Sequence, residues 1–164
     1  MILLSVGTQL PFDRLVRAVD DWALVHPRIE VIAQIGPSTY RPHTLKAFAF
    51  LDQGAFLDLQ KRADLHISHA GMGSILTAME YGKPIIVMPR DFGRGEHRNG
   101  HQAATARRFA DTPGVHVAAD VGALTDRLSQ FRNLSRPSGI TAHASPAFTD
   151  RLRAYLGSTR PGRE

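Results

Sequence analysis

The sequence contains no cysteine, which removes disulfide frameworks and thiolate metal sites from consideration. No apolar run approaches the roughly 20 residues that span a bilayer. The densest, Ile85-Ile86-Val87-Met88, has the length of a strand. Lysines and arginines are not gathered into a block interleaved with aromatics, so nucleic acid is not an expected partner. No Asp-x-Asp pair offers itself to a divalent ion, so neither a metal nor a cofactor is expected. The opening Met1-Ile2-Leu3-Leu4-Ser5-Val6 is too short, and lacks the basic start, for a secretory signal. A cytoplasmic address is the expectation.

What is present suits one globular domain. A length of 164 residues, 43% hydrophobic and 21% charged, fits a single core rather than a disordered chain. The formal net charge of +5 could meet a phosphorylated ligand or lie on a solvated surface, and charge alone does not choose. Strand-like and helix-like patterns alternate from the first residue. Strands are expected at residues 2–6, 29–35, 46–51, 65–68, 85–88 and 115–118. Helices are expected at 12–24, 56–63, 74–81, 97–109 and 121–131. Such alternation implies an α/β fold, a Rossmann-like, mostly parallel sheet with helices on both faces. Residues 1–132 would form the main α/β domain. Residues 133–146, rich in Ser, Pro, Arg and His, read as a linker. Residues 147–164 would carry a short amphipathic helix, at about 148–156, and a tail.

The sharpest local feature is Ser68-His69-Ala70-Gly71-Met72-Gly73-Ser74, between a strand and a helix. Paired glycines let backbone N–H groups approach an anion, and the helix start adds the positive end of a dipole. Ser74 reads as an N-cap and a phosphate donor, and His69 as a further side-chain donor. A plain tight turn before a capped helix is the other reading. Competing glycine motifs fail on particular residues. Leu76 stands where a dinucleotide fingerprint needs glycine, Pro84 follows Gly82-Lys83 where a phosphate loop needs Ser or Thr, and Met72 occupies the serine position of a nucleophile elbow.

His69-Ala70-Gly71-Met72-Gly73-Ser74, then Gly82-Lys83-Pro84 with strand Ile85–Met88, then Asn99-Gly100-His101-Gln102, resemble the donor-binding half of GT-B glycosyltransferases. The peptidoglycan GlcNAc transferase type and the small soluble subunits of two-part transferases are the similar members. Ser5-Val6-Gly7-Thr8, Phe12-Asp13-Arg14-Leu15 and Gln34-Ile35-Gly36 are similar to the start of those small subunits. The resemblance runs over about residues 1–130. It implies that His69 and the backbone of Gly71, Met72, Gly73 and Ser74 hold the diphosphate of a UDP-sugar. It further implies that Gln102, with His101 beside it, faces the sugar. Gly7 and Thr8 would border the cleft, and backbone near Phe50 and Leu51 would meet the base. One departure stands out. The glutamate that binds ribose in related enzymes is replaced by Thr77, and Glu80, one turn on, either substitutes for it or is an exposed helix carboxylate.

The resemblance also sets functional expectations: an inverting, metal-independent hexosyl transfer from a UDP-sugar to a lipid-linked saccharide acceptor in bacterial exopolysaccharide assembly. No catalytic base is assigned in this chain. The base and acceptor site would come from a membrane-anchored partner subunit, holding this chain at the inner face of the membrane. The C-terminal helix is a candidate docking element. A stand-alone homodimeric nucleotide-sugar enzyme and a non-catalytic nucleotide-sugar-binding or regulatory protein remain open beside it. The glycine-bearing stretch at 90–102 reads as a mobile loop whose Arg90, Arg94 and Arg98 either pair with donor phosphate or an acidic sugar, or are simply solvated.

Overall fold

The computed structural model describes residues 1–141 and 143–158, so the last part of the expected tail, residues 159–164, lies outside the described residues. Six strands, β1 (Ile2–Ser5), β2 (Val31–Gln34), β3 (Lys46–Phe48), β4 (Leu65–His69), β5 (Ile85–Met88) and β6 (Val115–Val117), form one sheet. Its order is β3-β2-β1-β4-β5-β6 and every pairing is parallel. The helices are α1 (Asp13–Leu24), α2 (Gln53–Arg62), α3 (Met72–Glu80), α4 (His101–Phe109), α5 (Val121–Ser129) and α6 (Pro146–Ser158).

The central strands are continuous apolar runs because both faces of the sheet are covered. Alternate residues go to opposite cores. Ile86 and Met88 join Leu15, Val16, Val19 and Trp22 of α1 and Leu124 and Leu128 of α5, while Ile85 and Val87 join Ile75 and Ala78 of α3 and Ala106 of α4. On that second face His66 is buried and bonds through Nε2 to the Gln60 carbonyl of α2, 2.9 Å away. Asp52 and Asp120 cap α2 and α5, accepting from the Ala55 and Ala123 N–H groups.

One connection is held by two carboxylates of α1. Asp20 of α1 accepts from Tyr40 Oη and from the N–H groups of His43, Thr44 and Leu45. Asp13 accepts from the Ser38 and Thr39 hydroxyls and from the Thr39 and Tyr40 N–H groups. Together they fasten the β2–β3 connection onto α1. The expected linker starts as a packed strap: Leu134 lies against the core, Pro137 is buried against Gly114, and His116 Nε2 donates to the Ser135 carbonyl at 3.0 Å. Further on, α6 adds no residue to either core cluster and leaves Phe148, Leu152, Tyr155 and Leu156 exposed.

Candidate functional site

The chain leaves β1 toward β2 on one side and leaves β4 toward β5 on the other, so neighbouring strands β1 and β4 mark the topological switch point of the sheet. Ligands of open α/β sheets sit outside the carboxyl ends of the strands at such a point. A cleft of about 310 Å³ lies there, lined by Val6, Gly7, Thr8, Gln9, Leu10, His69, Arg90, His97 and Gln102. Roomier clefts, of about 420 and 870 Å³, are lined by residues such as Met1, Arg28, Asp64, Pro84 and Arg132. Met1, Asp64 and Pro84 precede strands, so those clefts lie at the end of the sheet without the anion-facing helix start. Chemistry, not volume, selects the smaller one.

Helix α3 begins at Met72 with Gly71 as N-cap, two residues before the start expected at Ser74. Ser74 is therefore not the cap. It sits in the first turn, its Oγ 3.0 Å from Ser68 Oγ. No side chain caps this helix, so the N–H groups of its first turn face outward without an intrahelical partner. Gly71 is required by what lies beside it, because a Cβ there would collide with His69 Nε2. Gly7 has φ +83°, and a Cβ there would stand 3.1 Å from His69 Cε1. The imidazole is thus closed in by two glycine backbones. A Cβ at Gly73 would meet nothing within 4 Å; that position is open to approach from outside.

His69 Nδ1 lies 3.3 Å from Ser68 Oγ, which donates to the Ser5 carbonyl at 2.9 Å. Burial pulls the His69 pKa down to about 4, helped by the Arg90 charge and, to a lesser degree, His97, against a bond to the Ser5 backbone. The ring is neutral at pH 7.

Arg90 does not serve as the phosphate-pairing cation expected of the 90–102 stretch. It is buried, and its guanidinium is spent on main-chain carbonyls: Nη2 donates to Val6 and Leu10 at 2.6 and 2.7 Å, and Nη1 donates to Pro11. It also lies over the Phe12 ring, 4.7 Å from the centroid. Burial lowers its pKa to about 10, which leaves it charged at neutral pH. It fixes the segment that carries Gly7 and Thr8. The stretch that follows is tethered as well. Glu96 accepts two 2.7 Å bonds from Arg14 and one from the Asp91 N–H. The expected helix from residue 97 starts only at His101.

The remaining site residues separate. Gln102 is buried, lines the cleft, and accepts the Arg90 N–H at 3.0 Å. His101 is exposed and outside the lining. Thr8 is exposed at the rim, and Met72 and Gly73 are exposed on the first turn of α3. Glu80 is the last residue of α3 and exposed, eight residues from Met72, about 12 Å along the axis. Neither Glu80 nor Thr77 lines the cleft. Gln9, Leu10 and His97 also line the cleft, and no local pattern marks them for it; each comes from the way Arg90 and Glu96 fold their loops inward.

With the site on a glycine-flanked helix start at the switch point, comparison with known proteins becomes informative. The family model described as the glycosyltransferase family 28 C-terminal domain matches residues 1–129. The chain belongs to that family. Over 84 residues, 48% of this chain, it is 37% identical to human "UDP-N-acetylglucosamine transferase subunit ALG13", and 34% identical to the mouse protein. It spans only 7% of the length of each of these curated relatives. Among solved structures, the kitacinnamycin glycotransferase gives a TM-score of 0.61 at 18% identity, covering 93% of this chain and 37% of that one. The solution structure of ALG13 gives 0.55 at 19% identity, with 92% and 93% covered. A Methanocaldococcus jannaschii UDP-GlcNAc 2-epimerase gives 0.60 at 15% identity, with 96% and 45% covered. These structural likenesses establish the fold: a half-domain of the GT-B type, with six parallel strands between helices.

Proposed function

We propose that this chain is the donor-binding subunit of a two-part glycosyltransferase that moves a sugar from a UDP-sugar to a lipid-linked saccharide acceptor. The reading is carried by one observation: the uncapped N-terminus of α3 and the His69 ring stand at the β1/β4 switch point, on one wall of an open cleft. The pyrophosphate would lie on the N–H groups of Met72, Gly73 and Ser74, with His69 beside it and Gln102 toward the sugar. In the transfer, the acceptor hydroxyl oxygen bonds to the anomeric carbon from the face opposite the diphosphate. The carbon–oxygen bond to the diphosphate breaks, and UDP departs with the electron pair. Oriented N–H donors stabilise that developing charge without a metal. The acceptor proton needs a base within hydrogen-bond reach; no carboxylate among the described residues lines this cleft, and in this reading the partner wall supplies the base.

No helix among the described residues is long and apolar enough to cross a membrane; in this reading the partner carries the membrane anchor. The exposed face of α6 is the proposed contact, and a cytoplasmic position at the inner leaflet follows. The family match and the similarity to ALG13 support transfer from a UDP-sugar; polysaccharide assembly is the process that fits a bacterial lipid-linked acceptor.

The test is co-expression with a candidate membrane subunit, following radiolabelled sugar from UDP-glucuronic acid or UDP-N-acetylglucosamine into lipid. Label should enter lipid only when both proteins are present, and Gln102→Ala should reduce it at least about tenfold, the loss of one good polar contact in the transition state. Turnover by this chain alone with a simple acceptor would favour a stand-alone enzyme. UDP binding that His69→Ala weakens, with no transfer in any pairing, would favour a nucleotide-sensing protein.

A further inference from the structure

His69 sits where the donor reading puts an anion, yet its surroundings prepare it to accept a hydrogen bond, not to give one. The hydroxyl of Ser68 has a single proton. It lies 2.9 Å from the Ser5 carbonyl, which can only accept, and Ser68 is 2% exposed. We assign its one proton to the Ser5 bond, the shortest of its three contacts. Toward its other neighbours Ser68 Oγ must accept, taking one bond from the Ser74 hydroxyl at 3.0 Å and one from His69 Nδ1 at 3.3 Å. Those three bonds use everything the oxygen has. Nδ1 consequently holds the one proton of the neutral ring, and Nε2 is left with a lone pair on the edge that faces Gly7 and Gly71.

A lone pair directed at phosphate oxygens is repulsive, and the ring cannot turn away. Exchanging the ring nitrogens would break the bond to Ser68 inside the space closed by Gly7 and Gly71. The charged and titratable groups that face it are Arg90, beyond β5, and His97, from the loop before α4. The neighbouring carboxylate, Glu96, is committed to Arg14. Before a ligand arrives, cations therefore oppose protonation and no carboxylate favours it. A diphosphate brings the missing negative charge.

We propose that binding of a nucleoside diphosphate loads one solvent proton onto Nε2 of His69, converting the ring from a neutral acceptor into an imidazolium that donates to a phosphate oxygen. This rests on the donor-site reading. It supplies that site with a cation free to pair with phosphate, since the Arg90 guanidinium is engaged by carbonyls, and the cation would stay in place as charge builds on the departing diphosphate. The free ring titrates near pH 4. UDP affinity therefore weakens as pH rises above that value, by up to about tenfold per unit, until the bound ring itself loses the proton.

The test is titration calorimetry of the full chain with UDP in EDTA at pH 6.5, repeated in buffers of different ionisation enthalpy. The native protein should take up about one proton more per UDP than His69→Gln, the nucleotide's own titration being common to both. In parallel, imidazole ¹⁵N shifts of the native protein should show Nε2 passing from unprotonated to protonated as UDP is added. Native protein that binds UDP with Nε2 shifts unchanged, or with the same proton uptake as His69→Gln, overturns the proposal and leaves the donor site standing. Absence of any UDP binding overturns both.

Discussion

Gly71 and Gly73 stand two positions apart in one turn, and their surroundings separate the consequences of changing them. A methyl group at Gly71 would press on His69 Nε2, whereas one at Gly73 would meet no protein atom within 4 Å. Gly73→Ala should therefore fold with unchanged stability, so any loss of UDP affinity reports the approach of the ligand itself. Gly71→Ala should displace the ring and weaken UDP at least about tenfold, about 1.4 kcal/mol; calorimetry on both variants checks the contrast. Arg90→Met should cost about 3 kcal/mol in urea denaturation at pH 7, because the Val6, Leu10 and Pro11 carbonyls lose a charged donor. At this scale the glycine turn and the His69 beside it are legible in the sequence, since glycine spacing reports backbone approach directly, whereas Gln102 is singled out only by the family resemblance. Arg90 could not. An arginine among basic neighbours reads as a ligand-seeking charge, and only the fold shows that three carbonyls from around residues 6–11 have already claimed it.

Among elements, the loops depend on carboxylates of α1 and on Arg14. Burial alone would raise the pKa of Asp20, but the His43, Thr44 and Leu45 N–H groups and the Tyr40 hydroxyl outweigh it and hold the carboxyl below its ordinary value. Asp13 is lowered in the same way by Ser38, Thr39 and Tyr40 against its own burial. A carboxyl that titrates lower in the folded chain adds stability that is fully present above its unfolded value, about pH 4, and lost as pH falls through its folded value. Denaturation curves between pH 6 and 2 should show native stability falling steeply at the acid end. Asp20→Asn should be less stable near neutrality and show a flatter profile. Arg14→Ala should free residues 91–100, raising their amide exchange, at a cost of about 1–2 kcal/mol for a half-buried paired bond. The 90–102 stretch reads as mobile because Gly93 and Gly95 are visible in sequence, whereas its anchor is a partnership between residues 82 positions apart. Strand Ile85–Met88 was legible to the residue because Pro84 and Pro89 bracket it, and α3 was placed two residues late because Ser74 resembles a cap better than Gly71 does.

For the molecule as a whole, β1 pairs with both β2 and β4, so the core closes without α6. Truncation before Pro146 should leave the thermal midpoint within about 2 °C of the full chain, a shift below 1 kcal/mol. Under the two-part reading it should also abolish capture by the membrane partner. A melt and a pull-down on the same preparation check both. The alternation of strands and helices was readable across the chain because buried parallel strands are short apolar runs with polar breaks. The strand order was not, because no local pattern says that β4 returns beside β1. That order has a consequence for how the protein is made. Of the six strands, the first to be translated becomes a middle one of the sheet, and Ile2, Leu3 and Leu4 wait unpaired on one flank until Leu65–His69 has left the ribosome. Over that interval the nascent chain exposes a sticky apolar ribbon, and trigger-type chaperones would be expected to hold it.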